Sequence, residues 1–374
     1  MNGLRVVPTN VFRTSECSSM TSSTARTILH PYGIKSFRNF LNAERHALRQ
    51  SPVLVISSEP AGSQPNLSTV AESCKLVHFT LAQQMGLRTV PSTVLSAFPT
   101  MHDLEQKSEL IRRTGAASVV AVGSGAACDL GKALANEKEL DNLILVPSTY
   151  AAVLASSASH SLFLDPDEET LVPLPKDNDT VGTSVCSTTI APLDLKYIAP
   201  VDSSHVLFAS LAILLDAVYR KSENPLLPEL RKKLNGLLDS PDEEMSHDRA
   251  MDLLHDSGRL ISYGLGQEDR STPVALASAL IPRMFPHVHI LTFLAGLVPG
   301  LLHCVDATDE PLVERIRTYP AGVIPQLSVV DDSLKGFSIP DMAISHIQSN
   351  QAVWKSLDLP DKALTDILKY SLSD

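Results

Sequence analysis

Residues 118–146 constrain the fold more than any other stretch. The segment SVVAVGSGAACDLGKALA (118–135) runs an apolar strand into a glycine turn and then a helix, and LILV (143–146) follows as a further strand. The same alternation precedes it. PVLVIS (52–57) and Thr89–Val94 read as strands, and 37–50, 70–85 and 101–115 read as helices. The last of these ends at Gly115, which suits a left-handed helix cap. Strands alternating with helices predict a parallel, doubly wound sheet.

The pattern changes after the sheet. Residues 156–200 are rich in Ser, Thr, Pro and acids, as in DPDEET (165–170), and predict loops and a hairpin. From Ser203 onward the segments are long and helical. Residues 205–221 are apolar almost all round, which places that helix in a core. Further helices are expected near 228–238, 246–264, 273–284, 290–303, 309–318 and 362–372. The expected fold class is therefore an α/β N-terminal dinucleotide-binding (Rossmann-like) domain, residues 26–200, plus an all-α C-terminal domain, residues 201–374. Residues 1–25, rich in Ser and Thr with Arg5 and Arg13, read as a flexible leader or a targeting segment. The expected location is cytoplasmic, with the mitochondrion as the alternative.

Charge and composition exclude some functions. The net charge of -11 argues against nucleic acid, whose phosphates need a basic surface. The longest apolar run, 290–302, contains Pro299 and Gly300, so no membrane span is expected. Five scattered cysteines with no CxxC pair read as free thiols, not a disulfide frame or a zinc knuckle.

The glycine turn carries the first functional signal. Gly123 and Gly125 let backbone approach a ligand, and the helix that follows offers unpaired N–H groups to a pyrophosphate. Ser124, Ala126, Asp129 and Lys132 complete the candidate loop. The match to known motifs is partial: GxGxxG would need glycine at Cys128, and Ala133 stands where a P-loop has Ser or Thr. A tight turn that needs glycine only for packing remains the competing reading. A second turn, VPSTYAA (146–152), follows the next strand, so Ser148, Thr149 and Tyr150 could bond a cofactor. Ser148 or Thr149 could equally be a helix N-cap. Glu59, after the strand at 52–57, is placed to bond ribose hydroxyls and to repel a 2′-phosphate, which favours NAD over NADP.

These two turns, in this order, resemble the iron-containing alcohol dehydrogenase superfamily, and within it maleylacetate reductase. Where the family has a GGGSxxDxAK-like loop, this chain has GSGAACDLGK (123–132); where it has PTTYAGSE, this chain has PSTYAAVLA (147–155). HPYGIKSF (30–37), LAILLDAVYR (211–220), FPHVH (285–289) and PDKALTDIL (360–368) extend the likeness over 26–374. The resemblance implies a dehydroquinate synthase-like fold, NAD(P)-dependent reduction of a carbonyl or enone, an iron or zinc that polarises the substrate oxygen, and often a homodimer.

The family's metal ligands do not carry over. With Asp216 set against the family's Glu, Ala209 and Ile213 take the places of its Asp and first His. The next His would fall at Pro273 or Val274, and a nicotinamide-side His at Ala277 or Ser278; His287 or His289 alone survives. No metal is expected, since zinc sites use three or four protein ligands. Ala209, Ile213, Ser278 and His287 are then expected to line an apolar pocket that takes an apolar small molecule. Three functions follow: a metal-independent reductase with Tyr150, His160 or His287 as proton donor, a repurposed cyclase or isomerase, and a catalytically dead ligand-binding protein.

Overall fold

A six-stranded, wholly parallel sheet organises the first half of the chain in the computed structural model. The structure describes residues 27–29, 34–58, 67–94, 96–137, 140–158, 161–165, 167, 170–174, 187–190, 203–239, 245–263, 271–285, 287–305, 311–317, 327–328, 338–349, 357 and 359–373. The sheet strands are β1 (Thr27–Leu29), β2 (Val53–Ser58), β3 (Thr89–Val94), β4 (Ser118–Gly123), β5 (Asn142–Pro147) and β8 (Ser187–Ile190), in spatial order β1-β8-β5-β4-β2-β3. A short antiparallel hairpin, β6 (Ser161–Asp165) with β7 (Thr170–Leu174), lies outside it.

Side chains alternate across the sheet and both faces are buried. Val53, Val55, Val120, Val122, Ile144 and Val146 pack on one side with Phe37 and Leu41 of α1 (Ile34–Leu48) and Val70 and Val77 of α2 (Leu67–Phe79). Leu54, Ile56, Val119, Ala121, Leu143 and Leu145 pack on the other with α3 (Met101–Thr114) and α4 (Gly125–Glu137). Covered on both faces, the strands read as continuous apolar runs. Helix α3 has the expected ends. Thr100 and Asp103 form a reciprocal capping box, and Gly115 closes the helix at φ 66°.

The chain leaves β2 for β3 on one side and returns to β4 on the other. Strands β2 and β4 therefore flank the switch point, where the loops at their carboxyl ends diverge and open a crevice.

In the sheet-bearing half, three elements differ from the sequence expectation. Helix α4 starts at Gly125, not Asp129, because the small residues 125–127 continue the helical turn against the sheet. Tyr150–Ala152, read as the end of a turn, open α5 (Tyr150–Ser157); it is buried nearly all round and so has no amphipathic stripe to announce it. Strand β8 sits in a stretch read as loop, and its pairing to β1 and β5 makes it a strand.

The second half is helical: α6 (Ser203–Tyr219), α7 (Leu227–Asp239), α8 (His247–Tyr263), α9 (Thr272–Met284), α10 (Ile290–Gly296), α11 (Val298–Cys304), α12 (Pro311–Arg317), α13 (Ile339–Ser349) and α14 (Asp361–Ser371). Short strands β9 (Leu327–Ser328) and β10 (Leu372–Ser373) pair in parallel. Helix α6 is the core, as its apolar sequence predicts. Its buried Asp216 accepts a 3.0 Å hydrogen bond from Thr272 N at the start of α9 and pairs with Arg220 at 3.1 Å. Arg220 also donates to Leu357 O at 2.7 Å. No helix among the described residues is long and apolar enough to cross a membrane.

Helix α5 joins the halves. Its Tyr150, Ala151, Val153 and Leu154 belong to the helical core, while Ala152 faces the sheet core. Helix α8 crosses it closely at Gly258, where a Cβ would stand 2.6 Å from Leu154 O and 2.7 Å from Ser157 Cβ. Two hydrogen bonds cross the seam. Tyr150 Oη meets His247 Nδ1 at 3.0 Å, and Ser157 Oγ meets His255 Nδ1 at 2.8 Å. Ser157 gives its proton to Val153 O, so its oxygen accepts from His255 Nδ1–H. Burial holds the His255 pKa down at about 4.

Gly258→Val forces α5 and α8 apart, and urea unfolding should show a loss of about 3 kcal/mol. Gly236→Ala, on an exposed stretch of α7 where a Cβ meets nothing within 4 Å, should instead raise stability by roughly 0.5–1 kcal/mol. His255 predicts the acid side. Its folded pKa lies below the unfolded one, so its contribution is complete above the unfolded value and fades as pH falls through the folded one. Unfolding free energy should drop by about 3 kcal/mol from this group between pH 7 and 4. His255→Gln should flatten that part of the slope in urea titrations across the range.

Candidate nucleotide site and the histidines of the helical half

The glycine turn lies at the switch point. Ser58 ends β2 opposite Gly123, which ends β4. Gly123 has φ 132°, and a Cβ there would overlap the Ser58 hydroxyl. That hydroxyl accepts a 2.8 Å hydrogen bond from Ser124 N. The room that glycine opens at 123 is thus filled from inside the protein. Gly125 differs: it is half-buried, like Ser124, and a Cβ on it would meet only Ala155 Cβ, at 3.7 Å. The tip of the turn and the first N–H groups of α4 form the open part of the loop.

Asp129 and Lys132 sit away from that tip. They pair with each other at 3.0 Å, both buried. Lys132 Nζ also donates to Ala155 O at 2.5 Å and Ala158 O at 3.0 Å, closing the carboxyl end of α5. Burial raises the Asp129 pKa against the pull of Lys132 and a hydrogen bond from the Leu162 backbone. Their polar atoms bind α4 to α5 and to the hairpin, a helix-joining role that the motif spacing does not reveal. Ala126 is buried beside them.

The STY turn divides its work. Ser148 N donates to Gly123 O at 2.8 Å, linking the two turns, while the buried Ser148 Oγ has no hydrogen-bond partner among the described residues. Thr149 is the N-cap of α5, accepting from Ala152 N at 3.0 Å, as the capping alternative has it. Tyr150 turns to α8 and His247, and burial raises its pKa.

The expected pocket residues are scattered. Ala209 and Ile213 are 0% and 2% exposed and lie sealed in the helical core. This corrects the expectation that they line an open pocket, since apolar side chains at these positions pack against neighbouring helices. Ser278 is buried and donates to Val274 O at 2.8 Å. His287 is exposed in the turn before α10. Glu59 and His160 lie outside the described residues.

Two histidines come together instead. His289 caps α10, its Nδ1 accepting from Leu291 N at 3.3 Å, and His205 in the first turn of α6 meets Thr292 Oγ1 at 3.2 Å. His289 is exposed at this turn, and desolvation with the nearby His205 lowers its pKa. No group of three or more His, Cys, Asp or Glu side chains that could hold a metal occurs among the described residues. An imidazole that binds a metal through Nε2 needs a proton on Nδ1. His289 Nδ1 is an acceptor, so this residue set does not fit the family's metal.

Sequence reasoning missed Ser58, His205, His247 and His255. Ser58 carried a usable signal, because it ends the strand beside the glycine turn. The histidines meet partners 87–98 residues away, which local pattern does not encode.

No protein-family model matches the chain. A stretch of 134 residues, 35% of the chain, is 29% identical to the mitochondrial ATP-dependent DNA helicase HMI1 of Saccharomyces cerevisiae, of which it spans only 17%. Solved structures match over nearly the whole chain. The iron-containing alcohol dehydrogenase of Corynebacterium glutamicum is 16% identical, with a TM-score of 0.64 over 96% of this chain and 98% of that one. The iron-containing alcohol dehydrogenase of Thermotoga maritima is 15% identical, with 0.63 over 95% and 99%. Maleylacetate reductase of Agrobacterium tumefaciens is 16% identical, with 0.59 over 96% and 98%. The chain has the fold of the iron-containing alcohol dehydrogenases and maleylacetate reductases.

Proposed function

We propose that this chain is a divergent NAD(P)-dependent, reductase-like enzyme that acts on a carbonyl or enone of an apolar small molecule and needs no metal. One observation carries the reading. The tip of the Gly123–Gly125 turn is accessible at the β2/β4 switch point, with the unsatisfied Ser148 hydroxyl beside it. Such a crevice is where open α/β sheets bind ligands.

The residues present fit a dinucleotide. The leading N–H groups of α4 would hold its diphosphate, and Gly125 and Ala155 leave room above them. A bound nicotinamide supplies a hydride. The chain's own contribution is orientation: Ser148 N holds the two turns together, and Tyr150 fixes α5 against α8. Glu59 favours NAD over NADP by repelling a 2′-phosphate. A homodimer, no nucleic-acid or membrane partner, and a cytoplasmic or mitochondrial location complete the proposal.

The second reading is a cyclase or isomerase on the same fold that works through shape and orientation alone.

Calorimetric titration with NADH and NADPH separates the two. Micromolar binding of either one supports the reductase; no binding at millimolar nucleotide overturns it in favour of the non-redox enzyme. Gly125→Trp should weaken nucleotide binding by at least about tenfold while the thermal midpoint holds. Elemental analysis of the purified protein should find no stoichiometric iron or zinc; one equivalent of either would overturn metal independence.

A further inference from the structure

We propose that the guanidinium groups of Arg45 and Arg49 form a binding site for the phosphoryl group of a phosphate monoester, at the edge of the sheet opposite the glycine turn. Nothing in this site depends on the reductase reading.

The chain path places the pair. Helix α1 ends at Leu48 and the chain enters β2 at Val53; Met85–Arg88 lead likewise into β3 at Thr89, the residue paired with Val53. The two arginines therefore sit at the amino ends of the parallel strands. Ser58 and Gly123 end the sheet at its carboxyl side, one six-residue strand away, or about 20 Å.

Both arginines aim at one atom. Arg45 Nη2 donates to Met85 O at 3.2 Å, and Arg49 Nη2 donates to the same oxygen at 3.1 Å. Among the described residues neither guanidinium has another hydrogen bond or an ion pair. The more buried cations of this chain are answered by carboxylates: Lys132 by Asp129, Arg220 by Asp216, and Lys233 by Asp252 and Asp256. A helix C-terminus such as that of α1 favours one cation. A second on the same carbonyl repels the first, and a single neutral oxygen does not balance the two.

Desolvation sharpens the demand. Arg45 is half-buried, and its Nε is shut off from solvent with no partner. A cation partly removed from water, with a donor unanswered, favours a counter-charge on whichever side stays open. That side faces Arg49, which is exposed. Gly86 keeps the approach clear. It is exposed, with φ 63°, and a Cβ there would stand 3.6 Å from Arg49 Nη2. Two guanidiniums within reach of one oxygen offer two positive charges and two planar sets of donors. Those match the double charge and several oxygens of a phosphate dianion, whereas one carboxylate neutralises only one of them.

The test is calorimetric titration of the full chain with inorganic phosphate and with glycerol 3-phosphate, in low-salt buffer free of other oxyanions. Both should bind. Arg49→Gln, a change to an exposed side chain, should weaken phosphate binding by at least about tenfold with the thermal midpoint unchanged, and Arg45→Gln should do the same. Gly125→Trp should leave that binding intact. No binding of either probe by wild type, or equal phosphate affinity in wild type and Arg49→Gln, would overturn the site. Binding that needs Gly125 and not Arg49 would overturn it too, by placing the anion at the glycine turn. Once Arg49-dependent binding is seen, phosphatidylcholine vesicles containing phosphatidic acid separate the sources of the phosphoryl group. Sedimentation of wild type but not Arg49→Gln with them supports the site with a lipid headgroup as its ligand; no sedimentation supports it with a soluble ester.

Discussion

A buried ammonium group must be surrounded by oxygen, and much of this structure follows from how Lys132 meets that demand. Removed from water, it draws in Asp129 on its own helix and the last carbonyls of α5. Asp129 in turn reaches the Leu162 backbone on the hairpin. Three elements that the sheet alone would not align are thereby fixed around one charge. Helix α5 is held at its carboxyl end by this cation and at its amino end by Thr149. Helix α8 can then seat against it through Gly258, and the helical half inherits its position from the sheet.

This arrangement changes what the motif residues do. The GSGAACDLGK segment presents an accessible tip at Ser124 and Gly125, but its acid and base face inward. The two halves of the motif differ, a half-buried turn at its start and cohesion one helical turn further on. In the helical half, the positions at which the resemblance implies metal ligands, Ala209 and Ile213, are core side chains, and a polar contact joins the starts of α6 and α10.

The fold was largely legible. Apolar runs such as SVVAV and LILV mark buried parallel strands, and Gly115 marks a helix end by its backbone demand. Helix α5 was not legible, since a helix buried all round lacks the stripe that betrays a period. Strand β8 was hidden because STTI owes its conformation to pairing with β5 and β1, not to its composition. The site was legible in part. Glycine spacing located the turn, but only the three-dimensional register brings Ser58 to Gly123. Nothing local in the sequence shows that His289 caps α10 by accepting the Leu291 N–H.

The contact between Ser58 and Gly123 ties the history of two positions together. A methyl group at 123 collides with the hydroxyl at 58, so glycine cannot be replaced there alone. Loss of the hydroxyl leaves the Ser124 N–H without its acceptor, so serine is not freely replaced either. Glycine at 123 is held twice over, by the Ser58 hydroxyl and by its own φ of 132°, so a smaller residue at 58 does not release it. The innermost corner of the crevice is therefore slow to vary, while the half-buried tip at Ser124 and Gly125 is free of that contact.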